Sequence, residues 1–138
     1  MGLDVGDKTI GVAMSDETGL IARGVEVIRR AGWERDLARL RALCDEYRVG
    51  EVVVGLPRRL NGSLGERAGR AMDFARKLHE ALGLPVHTWD ERLSTVAAER
   101  TLLEADMSRA RRRKIIDRMA AAIILQGFLD SRRPHLGG

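Results

Sequence analysis

The chain has 138 residues, room for one domain with a real core and too few for a second. Apolar residues make up 44%, no run approaches the roughly 20 that a membrane helix needs, and residues 1–15 carry Asp4 and Asp7 instead of a signal peptide's basic start and apolar stretch. The formal net charge of +4 favours a polyanionic partner, but modestly, because 20 acids are interspersed.

Residues 1–16 read as a short apolar strand, a tight turn and a second strand. Asp4 lies between Leu3 and Val5, so a carboxylate sits inside an apolar strand, which is costly unless something pairs with it. Gly6 marks the turn. Gly2 and Gly11 remove side chains beside Asp4, so a ligand or another backbone can approach closely. Ile10, Val12 and Met14 alternate with smaller or polar residues, the period of a strand. An ordinary hairpin with an acid near its turn is the bland alternative. Leu20 to Arg30 reads as a third strand, with Val25 and Val27 on one face and Glu26 and Ile28 on the other. Three strands at short spacing predict an antiparallel meander.

Ala31-Gly32 breaks this pattern, and a helix is predicted from about Trp33 to Tyr47. Its stripe is Leu37, Leu40, Ala42 and Leu43, with Cys44 beside it. Cys44 is the only cysteine and is expected to be a buried small apolar residue, not a nucleophile. Glu51 to Pro57 is a β-branched run typical of a strand buried on both faces. Arg58 to Gly65 reads as a polar loop at the C-terminal edge of the sheet, where open α/β folds bind ligands. Glu66 to Leu82 predicts a helix with the stripe Ala71, Phe74, Ala75, Leu78 and Leu82, closed by Gly83. Pro85 to Asp90 is a short strand ending in Asp90-Glu91-Arg92. Ser94 is placed as the N-cap of a helix through about Glu104. A final helix is predicted from about Arg112 to Asp130, and 132–138 as a loose tail.

This order implies an α/β fold: one domain over 1–138, a mixed five-stranded sheet, antiparallel first and parallel later, and helices on both faces. Asp117 shares a helical stripe with Ala121, Ile124 and Phe128, and so points inward. Asp4, the Asp90-Glu91 pair and Asp117 are then several inward carboxylates that cannot ionise side by side without cations. Hard oxygen donors favour Mg²⁺ or Mn²⁺, one ion or two, which suits activation of a water against a phosphodiester. Only Lys8, Lys77 and Lys114 of the 24 cations are lysine; arginine suits bidentate phosphate contacts. Lys8, Arg58, Arg59, Arg92, Arg109, Arg111, Arg112, Arg113 and Lys114 are the candidate nucleic-acid contacts, the bland alternative being a solvated basic surface. Trp33 and Trp89 are read as packing groups. His79 and His135 are expected to be exposed and His87 to be buried, and none is given a catalytic role.

Gly2-Leu-Asp-Val-Gly6, Ile10-Gly-Val-Ala13, Ser15-Asp16, Val54-Gly-Leu-Pro57, Asp90-Glu-Arg92 and Asp117 with Ala120-Ala121 together resemble the YqgF/RuvX family. These proteins are relatives of the RuvC Holliday-junction resolvases, with an RNase H-like fold. The motifs span nearly the whole chain in the family's order. The resemblance implies a cytoplasmic nuclease, described for the family as processing the 5′ end of pre-16S rRNA, with Holliday-junction cleavage as the other proposed activity. It carries Asp4, Glu91 and Asp117 over as metal-binding catalytic acids, with Asp90 as an additional ligand candidate. RuvC-type enzymes carry an acid on the fourth strand; here Val54-Gly-Leu-Pro57 has none, and the Asp90-Glu91 pair is the candidate substitute. Family members also have a few residues before the Gly-Leu-Asp motif, where this sequence has only Met1, which implies a shortened first strand or a trimmed start. The implied partner is structured RNA or branched DNA, not a membrane, and the implied state a monomer or weak homodimer.

Two other classes compete. An actin-like ATPase or sugar kinase also opens with a strand and Asp-x-Gly, but needs two such domains around its nucleotide. A nucleic-acid-binding module of the same family would lack the catalytic acids, which are present here.

Overall fold

The computed structural model describes residues 1–56, 65–90 and 109–132, and of Arg67 and residues 109–117 the backbone alone. The strands are β1 (Gly2–Val5), β2 (Thr9–Ser15), β3 (Ala22–Arg29), β4 (Val52–Leu56) and β5 (Val86–Asp90). The helices are α1 (Trp33–Tyr47), α2 (Glu66–Leu82) and α3 (Arg109–Ser131). One sheet runs in the order β3-β2-β1-β4-β5. The first three strands are antiparallel neighbours, while β4 joins β1 and β5 joins β4 in parallel. The expected mixed sheet with its antiparallel meander is therefore present. The expected helix over 94–104 and the loop after Pro57 fall outside the described residues.

Strand alternation sorts side chains onto two faces. Leu3, Val12, Val52 and Val54 meet Leu40 and Leu43 of α1 and Phe74 and Leu78 of α2 in the larger core. Ala13 and Val53 meet Ala120, Ala121, Ile124 and Leu125 of α3 in the smaller one. Helices thus cover both faces, as the two-sided apolar run of β4 requires. Cys44 is buried in the larger core, and burial pushes its thiol up, as suits an inert packing group.

Three local expectations change. First, β3 does not alternate cleanly: Gly24 pairs with Ala13 and Glu26 with Val12, which leaves Val25 as the extra residue of a β-bulge. Second, Ala42 is exposed on α1 and Asp36 takes a buried place. Asp36 Oδ1 accepts the Ala31 N–H at 3.0 Å and the Arg30 side chain lies 3.7 Å from Oδ2, so its carboxylate is satisfied where it sits. Third, α3 starts at Arg109, one turn before the expected Arg112. At its far end Arg132, placed in the loose tail by sequence, forks onto Glu51 at 2.9 Å through both guanidinium ends and lies over the Phe128 ring. Residues 133–138 lie outside the described residues.

Candidate active site

Asp4 is the third residue of β1, half-buried, on the face that α3 covers. Leu3 turns to the α1/α2 core, so alternation sends Gly2 and Asp4 the other way. The neighbouring positions across the sheet are unusually bare. Asp4 pairs with Gly11 of β2. On the other side, the pairs Gly2–Val53 and Leu3–Val54 carry the register on to Gly55 of β4. Glycines therefore flank Asp4 on both sides. Gly11 was legible in the sequence; Gly55 was not, because its role depends on a parallel pairing about 50 residues away.

The helix above is held close by the absence of side chains. A Cβ on Gly2 would stand 2.7 Å from Leu125 Cβ and 3.1 Å from the Ala121 carbonyl oxygen. A Cβ on Gly24 would meet Arg118 at 3.0 Å, and one on Gly127 would meet Trp89 Nε1 at 3.0 Å. Gln126 accepts the Ala22 N–H and donates to the Leu20 carbonyl, both at 2.8 Å. Arg118 thus lies by Gly24 and Gln126 by Ala22, so α3 runs opposite in direction to β3 and β1. Over four helical residues, from Ala121 back to Asp117, the rise is about 6 Å. Over two strand residues, from Gly2 to Asp4, it is about 6.6 Å. Close packing at Gly2 therefore keeps the backbone positions of Asp4 and Asp117 abreast.

Asp90 closes β5 in register with Leu56. His87 and Trp89 face α3, where they contact Phe128. Asp90 alternates to the face of Val86, which packs against the α1/α2 core, and so stands on the side of the sheet opposite Asp4. Glu91 lies outside the described residues, as do Arg58, Arg59 and Arg92. Among the described residues, no three His, Cys, Asp or Glu side chains are grouped to hold a metal ion; of the four predicted acids only Asp4 and Asp90 have described side chains. A half-buried carboxylate on a glycine-flanked strand fits a hard cation as one oxygen donor.

The cations divide by position. Arg109, Arg111, Arg112, Arg113 and Lys114 occupy the first turns of α3, which has no acid in its first turn. The helix continues about 12 Å beyond Asp117 to Arg109 and so overhangs the sheet edge beyond Asp4. Lys8 is exposed in the β1–β2 turn at the same edge. Ser15-Asp16 lies at the other end of β2. Asp16 Oδ1 there accepts from Thr18 Oγ1 at 2.8 Å and from the Leu20 N–H at 3.0 Å, and the Thr18 bond holds its carboxyl below the usual range. That part of the sequence pattern builds a turn.

His135, expected to be exposed, lies outside the described residues; the other aromatic and histidine positions are described. Trp33 packs edge-on to Phe74, and Trp89 packs against α3. Trp89 Nε1 is buried next to Gly127 and, among the described residues, has no hydrogen-bond partner. His79 is exposed, with Nδ1 2.7 Å from the Leu84 carbonyl oxygen. His87 is half-buried, its Nε2 2.8 Å from Glu51 Oε2, at the edge of the sheet away from Asp4.

A family model described as "RuvX: Holliday junction resolvase" matches residues 1–131. The chain belongs to the RuvX family. A relative from Symbiobacterium thermophilum is 63% identical over 131 residues, covering 95% of this chain and 91% of its own. One from Geobacillus kaustophilus is 58% identical over 135 residues, covering 96% and 98%. Both bear the name "Putative pre-16S rRNA nuclease". Among solved structures, this RuvX chain is similar to Thermus thermophilus RuvC, free (TM-score 0.56) and in complex with a Holliday junction substrate (TM-score 0.54). Each is 20% identical and covers 95% of this chain and 93% of its own, which shows the RuvC-like, RNase H-like fold. Among the described residues no helix is long and apolar enough to cross a membrane.

Proposed function

We propose that this RuvX chain is a divalent-metal-dependent endonuclease that hydrolyses phosphodiesters in structured RNA and trims the 5′ end of pre-16S rRNA. The observation that carries the reading is Asp4: a half-buried carboxylate between two glycine positions, abreast of Asp117 on a closely packed helix. The names of the relatives support the substrate. Asp4, Glu91 and Asp117 are the residues that would hold Mg²⁺ or Mn²⁺; Asp90, on the opposite face, is the weaker ligand candidate. The bound cation would lower the pKa of an attacking water and offset charge on the leaving oxygen. Asp4 and Asp117 orient that water from strand and helix. Lys8, Arg58, Arg59, Arg92, Arg109, Arg111, Arg112, Arg113 and Lys114 hold flanking phosphates. Cleavage of branched DNA is the second reading, favoured by the description of the family model.

The test is cleavage of a labelled pre-16S rRNA 5′ leader and a labelled four-way DNA junction with Mn²⁺, wild type beside Asp117→Asn. Asp117-dependent cleavage of the RNA alone supports the processing reading. Paired symmetric cuts in the junction support a resolvase, which would also need a two-fold dimer. No Asp117-dependent cleavage of either overturns the catalytic reading in favour of a binding module.

A further inference from the structure

A cleft of about 220 Å³ opens on the α1/α2 side of the same sheet edge. Phe74 and Trp33 wall it, and Arg30, Arg70 and Lys77 share its lining with the carboxylates Asp7 and Asp73. The cleft begins where the catalytic strand ends, because Val5, Gly6 and Asp7 follow Asp4 directly. Val5 and Gly6 lie only about 3–7 Å along the chain from Asp4. Arg30 is anchored toward the turn, donating from Nη1 to the Gly6 carbonyl at 2.8 Å, with its guanidinium carbon 5.6 Å from the centre of the Phe74 ring. Lys77 Nζ lies 4.4 Å from the centre of the Trp33 ring and, among the described residues, forms no ion pair. Arg70 meets Asp7 at 3.5 Å, both largely exposed, a pairing that solvent screens.

The volume is below that of drug-sized pockets, which run from about 300 Å³ upward. An aromatic wall with cations beside it suits a flat ring carrying a phosphate. We propose that this cleft is a nucleotide subsite: it takes one unpaired nucleotide of the substrate strand next to the phosphate cut at Asp4. The base lies against Trp33 and Phe74, and Lys77 leaves the Trp33 ring for the nucleotide's phosphate, with Arg30 and Arg70 beside it. The strand crosses the sheet edge over Gly6, from the α3 face to the α1/α2 face. This deepens the nuclease reading and rests on it for the identity of the strand.

The test reads binding without cleavage. Full-length protein carrying ¹⁵N-labelled tryptophan is titrated in EDTA with the dinucleotide ApA, with inorganic phosphate as control. The two indole N–H signals are assigned with Trp33→Phe, and Trp89, packed under α3, is the internal reference. ApA is expected to shift the Trp33 signal saturably and leave Trp89 in place, while phosphate alone shifts neither. Lys77→Ala, at an exposed position, is expected to weaken ApA about tenfold, within the range of a base stack or charged contact. In cleavage assays the same variant raises KM with kcat retained, the mark of lost uniform binding. A Trp33 signal that ApA does not move, or Lys77→Ala binding ApA like wild type, overturns the subsite even where the protein cleaves RNA. A Trp33 shift in a protein that cleaves nothing keeps the subsite and removes the nuclease reading.

Discussion

The two faces of the sheet are built from different residue sizes. Toward α1 and α2 the strands present Leu3, Val12, Val52 and Val54, matched by Leu40, Leu43, Phe74 and Leu78. Toward α3 they present Gly2, Ala13, Gly24 and Val53, matched by Ala120 and Ala121 beside Ile124 and Leu125. The first face buries large side chains and carries most of the hydrophobic stabilisation. The second gives up part of that burial so that a helix backbone can approach the strand that carries Asp4. The difference separates where stability is made from where geometry is set.

The two faces are therefore expected to break differently. Leu78, fully buried, leaves a cavity when truncated; Leu78→Ala is expected to lower unfolding free energy by about 3 kcal/mol. Cleavage by the protein that stays folded should be close to wild type. Gly2→Ala is expected to cost less stability, about 2 kcal/mol, because Leu125 and the Ala121 carbonyl must yield to the new methyl group. Its cleavage rate should nevertheless fall much further than that of Leu78→Ala, since α3 and Asp117 are displaced. Urea denaturation beside single-turnover cleavage checks both, and equal activity in the two variants would erase the distinction between the faces.

Smaller effects lie at the periphery. Glu26 of β3 is forked by Arg39 of α1, and that bond holds the Glu26 carboxyl below the ordinary glutamate value. A folded-state pKa below the unfolded one adds stability above the unfolded value, about 4.3, and loses it as pH falls through the folded one. Glu26→Gln should therefore cost at most about 1 kcal/mol at neutral pH and flatten the acid limb of a stability–pH curve. Smallest is Arg132→Ala. The Arg132 bond is the largest cause of the lowered Glu51 carboxyl, followed among the favourable contacts by His87. The variant should raise Glu51 toward its ordinary value, read by carboxyl carbon NMR, with no measurable change in cleavage.

Local pattern carried much of this architecture. The α2 limits follow from a helical stripe between Gly65 and Gly83, and Gly83 caps the helix with φ 69°. The meander follows from alternation and turn residues. What the pattern missed depends on partners distant in sequence or on a local exception. Gly55 matters only because β4 pairs in parallel with β1, and Arg132 is ordered only because Glu51 comes beside it. Asp36 occupies a buried position because the preceding turn supplies an N–H and a guanidinium. At the candidate site, Asp4 and its neighbour Gly11 were legible, and so was the helix that bears Asp117. Gly2 was also legible, as a place where another backbone can approach, whereas the roles of Gly24 and Gly127 appear only once the helix is laid across the strands.

The most direct test of the central claim compares Asp4→Asn with Glu51→Gln in Mn²⁺-dependent cleavage of the pre-16S rRNA 5′ leader, with thermal unfolding as the folding control. One acid lies under α3 at the predicted catalytic edge, and the other at the opposite edge of the sheet. Asp4→Asn is expected to abolish cleavage while still folding, and Glu51→Gln to cleave like wild type. Full cleavage by folded Asp4→Asn would contradict the claim.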